Sequence, residues 1–446
     1  MSGPRDANCC ALVEPSPPLE VGDRKSAPAH ERRLVNRPRS LVHGVSVTVV
    51  GNVAYTGAQF VMLVALARLS DVEEVGRYGL ALGITAPVFI LVSMQLRQVQ
   101  VTEEATSHQP QVIFMLRAVS SILAAAVCIT IGLALSLPSS TFAILMATVA
   151  FKIVEAQIDV YYSIFQRQEL MSDIARSQLW RAVGGSAAFG AVTWLTAGAA
   201  WAIVALTAFS VVVLVSVARG VGRLGTAPTL MWNLQEMRRL VVLTAPLGMA
   251  VAVGAFATNV PRYALGWEGG VTAVGTFSVV AYALVATGIV AGAAAEAALP
   301  RMSSLARARS MDRLVRIAVR FSLCGLFFGL LCSSVTAIVG EWLLATVFGT
   351  EYVAGSTALV ILMTAGTVQY GYLFIGAALY AMRIFSVQLP ASLVGLAVTI
   401  GGCLWLVPIS GVTGAAWAIL MSQAAQFVIY LWLFKSRISS GPFAHI

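Results

Sequence analysis

From residue 43 onward the chain is a succession of apolar segments, each about 18 to 28 residues long, with short polar connections between them. Wound as a helix, a segment of that length crosses a hydrocarbon core of about 30 Å. This limits the fold more than any other feature. Backbone in lipid must satisfy its own hydrogen bonds, which only helices and closed barrels achieve, and barrel strands need only about 9–11 residues. The chain therefore reads as an all-α polytopic membrane protein. Charge agrees: Asp, Glu, Lys and Arg make up 11% of the residues, against about 25% in a soluble domain.

Twelve spans are expected, at 43–66, 78–98, 115–137, 141–165, 175–197, 199–218, 240–262, 271–298, 316–339, 355–381, 386–408 and 411–434. Residues 1–41 are polar and proline-rich and read as a disordered tail. The implied organisation is that tail, a six-helix lobe at 42–220, a linker at 221–239, a second six-helix lobe at 240–434, and a short tail at 435–446. With the first tail inside, every Lys and Arg except Arg68, Arg77 and Arg262 falls at the inner end or in the inner half of a span. The positive-inside rule then places both termini in the cytoplasm. The outer connections carry Asp71, Glu73, Glu74, Glu268, Glu341 and Glu351. Trp201, Trp267, Trp342, Trp405 and Trp432 lie near span ends, as interfacial belts require. In a soluble chain the net charge of +9 would suggest nucleic acid. Here its distribution points to the cytoplasmic membrane face, and no nucleic-acid partner is expected.

The two halves repeat one another. GAAWAI occurs at Gly198–Ile203 and at Gly414–Ile419, opening the last helix of each half. VGRYGLALGI (Val75–Ile84) starts the second span and VGTFSVVAYA (Val274–Ala283) the eighth. With six spans per half the repeats run parallel, about an axis along the membrane normal, an architecture common in transporters with a site between the halves.

Four stretches carry a family resemblance: VEAQIDVYYSIFQRQELMSDIARSQLWR, NVPRYALGWEGGVTAVGTFS, FGTEYVAGSTALVIL and VPISGVTGAAWA. In their order and spacing, over residues 43–434, they resemble the polysaccharide-export branch of the MOP flippase superfamily. These are Wzx-like oligosaccharide-lipid flippases with a MATE-like fold. The resemblance implies two six-helix lobes around a central cavity. It also implies outward flipping of polyprenyl-pyrophosphate-linked sugar repeat units across a bacterial inner membrane, for exopolysaccharide, capsule or O-antigen assembly. The expected partners are the lipid-linked oligosaccharide, membrane lipids, and polysaccharide polymerase or export machinery. In RQVQVTEE the family leads one to expect Asp where this chain has Glu103.

Charges inside spans cost at least about 2.5–3.5 kcal/mol each at the bilayer centre, so each is a functional candidate. Lys152, Glu155 and Asp159 share a face of the fourth span at spacings of three and four residues. Arg181 lies one to two turns into the fifth span, and Glu296 lies near the inner end of the eighth. Lys152 and Arg181, with Arg97 and Arg262 at the cavity mouths, are the candidates for holding a pyrophosphate. Glu155, Asp159 and Glu296 are the candidates for ion coupling. A second reading stays open, in which Lys152, Glu155 and Asp159 form a self-neutralised structural cluster and Arg97 and Arg301 are topological anchors. Asn259 and Pro261 suggest a distorted helix end before Arg262.

Enzymatic constellations are missing from the sequence. Its lysines, Lys25, Lys152 and Lys435, do not follow glycine, so there is no P-loop. His30, His43, His108 and His445 form no triad or metal pattern. The six cysteines include no C-x-x-C, and Cys9–Cys10 follows no signal segment. No catalytic residue, metal or cofactor is expected. The competing functions are a MATE-like cation-coupled drug antiporter and, from a different class, a membrane polysaccharide polymerase or ligase. The short outer loops argue against the latter.

Overall fold

Helices begin and end where the apolar runs do, with one systematic difference: several continue past the hydrophobic stretch. The computed structural model describes residues 41–94, 96, 110–168, 170–223, 231–382, 384 and 388–439. Residues 45–446 form one unit, and all contacts below lie within it. The tail at 1–40, Cys9, Cys10, Arg97 and the RQVQVTEE stretch lie outside the described residues, as do linker residues 224–230 and residues 440–446.

The first half comprises α1 (Leu41–Leu69), α2 (Val72–Ser93), α3 (Pro110–Ala134) and α4 (Ser139–Arg167). Then come α5 (Met171–Trp180), a π-helical turn (Arg181–Gly185), α6 (Ser186–Thr196) and α7 (Ala199–Gly222). The second half comprises α8 (Leu234–Glu268), α9 (Gly270–Arg307), α10 (Met311–Val347), a 3₁₀ turn (Thr350–Gly355), α11 (Ser356–Ala381) and α12 (Gln388–Ser439). The chain is thus a multi-pass membrane protein: nine helices among the described residues are long and apolar enough to cross a membrane, and the helix order fits about twelve crossings. α5, the π turn and α6 make one crossing. α12, 52 residues long, would reach about 78 Å at 1.5 Å per residue. It breaks at Gly411, whose φ of 54° and ψ of −125° are open to glycine, and so makes two. The break falls where the sequence implied a very short connection.

Several boundaries move outward. α8, α9 and α10 carry Arg238, Arg239, Arg301, Arg307 and Arg313 on helix rather than loop. Hydropathy ends a span where charge begins, but arginine is a good helix former, and the helix continues into the interface. The end expected at Asn259–Pro261 is instead interior to α8, which runs on to Glu268.

Packing repeats between the halves. α2, α3 and α7 all pack on α4, and α9, α10 and α12 pack on α11 in the same roles. In both GAAWAI copies the first and last alanines of the run are buried: Ala199 and Ala202, Ala415 and Ala418. Trp201 and Trp417 face outward. The halves meet where α2 packs against α8 and α9. A Cβ on Gly76 would lie 1.9 Å from the Val271 carbonyl oxygen, and one on Gly275 would lie 2.3 Å from that of Val72. Each glycine thus faces the carbonyl four residues before its partner. One turn on, a Cβ on Gly79 would meet Ser278 Oγ at 2.3 Å. This reciprocity is what a two-fold axis between α2 and α9 produces, and only small residues permit so close a crossing in lipid. Arg68 strengthens the same end. Its Nε donates to the Val347 carbonyl at 2.9 Å and its Nη2 to those of Ala345, at 3.2 Å, and Thr346. A cation there satisfies the C-terminal carbonyls of α10.

At this acidic end, one continuous core joins both halves, with Leu66, Val75, Phe277 and Tyr352 among its members. At the arginine-rich end there are two cores. One is built on α3, α4, α5 and α7 with Met237 and Leu240 of α8. The other is built on α9 to α12. Gly76→Val and Gly275→Val should each force α2 from α9. A single cysteine at Gln59, which lies beside Tyr282 below the crossing, should then react several-fold faster with an impermeant maleimide added from the Asp71 side. An unchanged rate would contradict a seal at this crossing.

Candidate functional site

α4 is held on three sides by α2, α3 and α7, and it is the element that brings charge into the membrane. Glu155 is the hub. Its Oε2 accepts from Lys152 Nζ at 2.7 Å, one turn earlier on the same helix. Its Oε1 accepts from Arg181 Nη2 at 3.0 Å and from the hydroxyl of Tyr55 on α1. Arg181 Nη2 also donates to Tyr55 Oη at 2.5 Å, and its guanidinium lies 4.2 Å from the Tyr55 ring centroid, a cation–π stack. One turn on, Asp159 faces Arg117 of α3, with Oδ2 3.5 Å from Nη2. Arg117 is fixed from behind by Nε donating to the Ala156 carbonyl at 3.1 Å.

Arg181 opens the π turn. A π turn carries one extra residue per hydrogen-bonded ring and is common at functional sites. One turn before it, Gln178 donates from Nε2 to Asn52 Oδ1 on α1 at 2.7 Å. Two polar atoms here, Arg181 Nε and Gln178 Oε1, are buried with no hydrogen-bond partner among the described residues. The donors and acceptors border a cavity of about 300 Å³, closed on its apolar side by Phe89 and Ile90 of α2. Three cationic side chains, Arg117, Lys152 and Arg181, face two carboxylates, Glu155 and Asp159. Arginine forks and a lysine point charge are the usual ligands of phosphate oxygens, so the cavity is equipped to take an anion.

The sequence candidates divide between places. Lys152, Glu155, Asp159 and Arg181 line this one cavity. Arg262 does not. It sits on α8, donating from Nη1 to Asn259 Oδ1 at 2.6 Å and from Nε to Ser278 Oγ at 3.3 Å, beside the α2–α9 crossing. Glu296 is exposed on α9 and is not among the lining residues. Arg97 lies outside the described residues. Spacing along the sequence does not mark every contributor. Arg117 reads from sequence as an anchor at the start of a span, yet it is 6% exposed and two turns inside α3. Its signal was Asp159, an intramembrane acid one turn beyond the Lys152–Glu155 pair. Tyr55, Asn52 and Gln178 carry no charge, and nothing in their spacing marks them.

The same geometry separates structural from spare charge. Without Lys152, Glu155 still has Arg181 and Tyr55. Without Arg181 it keeps Lys152 and Tyr55, but Tyr55 loses its stack. Lys152 joins Glu155 within one helix, whereas Arg181 ties the π turn to α4 and α1. Lys152→Met should therefore leave the melting temperature of the purified protein nearly unchanged, and Arg181→Met should lower it by several degrees. Equal losses in both would refute this division.

Comparison with known proteins agrees with the fold. Residues 41–306 match the family described as polysaccharide biosynthesis protein. Capsular polysaccharide biosynthesis protein CapF of Staphylococcus aureus is 25% identical over 390 residues, covering 86% of this chain and 97% of its own length. Among solved structures, the lipid II flippase MurJ in an inward closed conformation superposes with a TM-score of 0.71 at 10% identity, over 87% of each chain. A mutant of the Vibrio cholerae MATE transporter VcmN gives 0.61 at 18% identity, over 90% of this chain and 96% of its own. The chain belongs to the polysaccharide biosynthesis protein family, and it has the fold of the MurJ and MATE structures.

Proposed function

We propose that the chain is a transporter rather than an enzyme, flipping polyprenyl-pyrophosphate-linked oligosaccharide repeat units outward by alternating access. The membrane is the cytoplasmic membrane of a bacterium, and the product an exopolysaccharide, capsule or O-antigen. One observation carries this reading: an intramembrane cavity in which three cations outnumber two carboxylates. A cation-coupled drug antiporter calls for the opposite balance. Family membership and the CapF likeness support a polysaccharide precursor as cargo. The lipid-linked precursor, the surrounding lipids and a polymerase or export complex are the partners this role requires.

In this reading the arginine-rich end is cytoplasmic, and the α2–α9 crossing closes the outside. The pyrophosphate enters between the two separate cores, and Lys152, Arg117 and Arg181 take its oxygens. Glu155 keeps Arg181 and Lys152 in place while the cavity is empty. Transport then requires the glycine crossing to part and the cytoplasmic cores to meet, lobe 42–220 moving against lobe 240–434. The membrane potential, negative inside, favours outward movement of each anionic charge by about 2.3 kcal/mol per 100 mV across the full field. The cation excess draws the empty cavity back, so no coupling ion is needed.

Orientation is checked by single cysteines. One at Ala308, between α9 and α10, should label only from the cytoplasm, and one at Glu351 only from outside; the reverse pattern would invert the topology. Function is checked in vesicles holding the purified protein and a fluorescent polyprenyl-pyrophosphate disaccharide. Lys152→Met and Arg117→Met should each cut flipping at least about tenfold, since a charge-assisted contact contributes about 1.5–3 kcal/mol. Collapsing the potential should slow the wild type. Flipping that ignores the potential but stops in Asp159→Asn would favour an ion-coupled antiporter instead.

A further inference from the structure

A second cavity, about 660 Å³, lies between α4, α5 and α7. It belongs to a different surface from the anion cavity: its wall includes Trp180 and Val212, 58% and 63% exposed on the lipid-facing side. The lining is largely apolar, with Phe165, Phe209 and Val217 among its members. Two glycines shape it. At Gly220 a Cβ would stand 3.2 Å from the tip of the Phe165 ring, so the ring lies close along α7 and leaves the slot open. At Gly184 a Cβ would stand 2.1 Å from the tip of the Phe209 ring, which lodges against the π turn and closes the deep end. From Phe209 to Arg223 the slot follows α7 for about 21 Å at 1.5 Å per residue. That matches one leaflet, whose hydrocarbon is about half of 30 Å, and not a membrane-spanning path.

The mouth is cationic. Arg176 of α5 and Arg223 at the end of α7 both line it and both are exposed. Neither forms an ion pair with any of the described residues. Asp173 is the one acid in the lining. Basic pockets between helices at the cytoplasmic face are where anionic lipid headgroups bind. We propose that this slot is a site for an anionic phospholipid of the leaflet at the arginine-rich end, with one acyl chain between α5 and α7 and its phosphate on Arg176 and Arg223.

The alternative occupant is the tail of the transported lipid, and the wall between the two cavities argues against it. Ser177 lines the slot and Tyr162 lines the anion cavity, and their hydroxyls are hydrogen-bonded at 2.7 Å. At the arginine-rich end the Leu170 N–H donates to the Phe165 carbonyl at 2.8 Å, drawing the start of α5 onto the end of α4. A lipid with its headgroup in the anion cavity and its chain in the slot would have to thread between two helices closed by those two bonds. A resident phospholipid needs no such path. Its chain lies under the helix that carries Gln178 and Arg181, and steadies it.

The test uses the full-length protein in detergent micelles, with lipid retention read by native mass spectrometry and melting temperature read in parallel. Dioleoyl phosphatidylglycerol should be retained one per chain and raise the melting temperature, whereas dioleoyl phosphatidylcholine should do neither. The double variant R176Q/R223Q should weaken phosphatidylglycerol retention about tenfold or more, with the lipid-free melting temperature unchanged. Ser216→Trp, at an exposed lining position, should weaken retention without touching either arginine. Equal retention of the two lipids, or full retention by R176Q/R223Q, would overturn the proposal. So would farnesyl pyrophosphate displacing phosphatidylglycerol from wild type but not binding R176Q/R223Q, which would give the slot to the cargo. Binding is read without transport, so these outcomes do not depend on the transport reading above.

Discussion

Glu155 is the contact on which the rest of the first half depends. Two cations held in a low-dielectric bundle repel each other and lose their hydration. One carboxylate between them removes both penalties, provided its remaining lone pairs are used. Tyr55 uses one of them. The result ties α1, α4 and the π turn after α5 into one electrostatic unit, and it leaves Arg181 Nε buried with no acceptor among the described residues. The bundle can therefore carry anion-binding groups at membrane depth without collapsing around them.

In the second half, α11 keeps the helix pairings of α4 and omits its charge. α11 has the position of α4, packed on by α9, α10 and α12, yet its polar contacts are neutral. Tyr370 meets Thr287 at 2.7 Å, Tyr372 donates to Gln423 at 2.6 Å, and Thr364 meets Ser333 at 2.9 Å. α4 of the duplicated scaffold thus carries charge that α11 lacks. In the proposed cycle the first lobe would rock against the second about the glycine crossing, as two-lobed transporters do.

The fold was legible because hydropathy, charge alternation and the GAAWAI repeat are one-dimensional signals of a one-dimensional constraint, the thickness of the membrane. The lobe boundaries at 42–220 and 240–434 rest on that reading alone. The site was half legible. Lys152, Glu155 and Asp159 show themselves as charges at helical spacing. Arg181 shows as a charge in an apolar run, but its direction depends on a π turn that no spacing rule contains. Arg117 was hidden by its place near a span end, where an arginine ordinarily marks topology. Tyr55 and Gln178 were hidden because a hydroxyl and an amide in an apolar run are common packing residues. Arg262 is the opposite case: its charge is conspicuous, but it lies outside this cavity, with Nη1 on Asn259 and Nε on Ser278.

Arg117 also decides the sign of the cavity. From Lys152, Arg181, Glu155 and Asp159 alone the charges cancel, and the membrane field would do no work on the empty protein. With Arg117 in the wall the cations prevail. In the proposed cycle, a field that pushes an anionic headgroup outward would pull the vacant site inward, so that one potential would drive both halves. Glu155 is held by three donors and stays with the structure. Asp159 is the more exposed carboxylate, its side chain 38% accessible against 22% for Glu155, and its 3.5 Å contact with Arg117 is longer than a strong charge-assisted bond of about 2.7–2.9 Å. An incoming phosphate would compete with Asp159 for Arg117 more readily than with Glu155 for Arg181. The weaker of the two ion pairs is therefore where cargo binding can first be felt, on α3 and α4, the helices that must move if the cavity is to change sides.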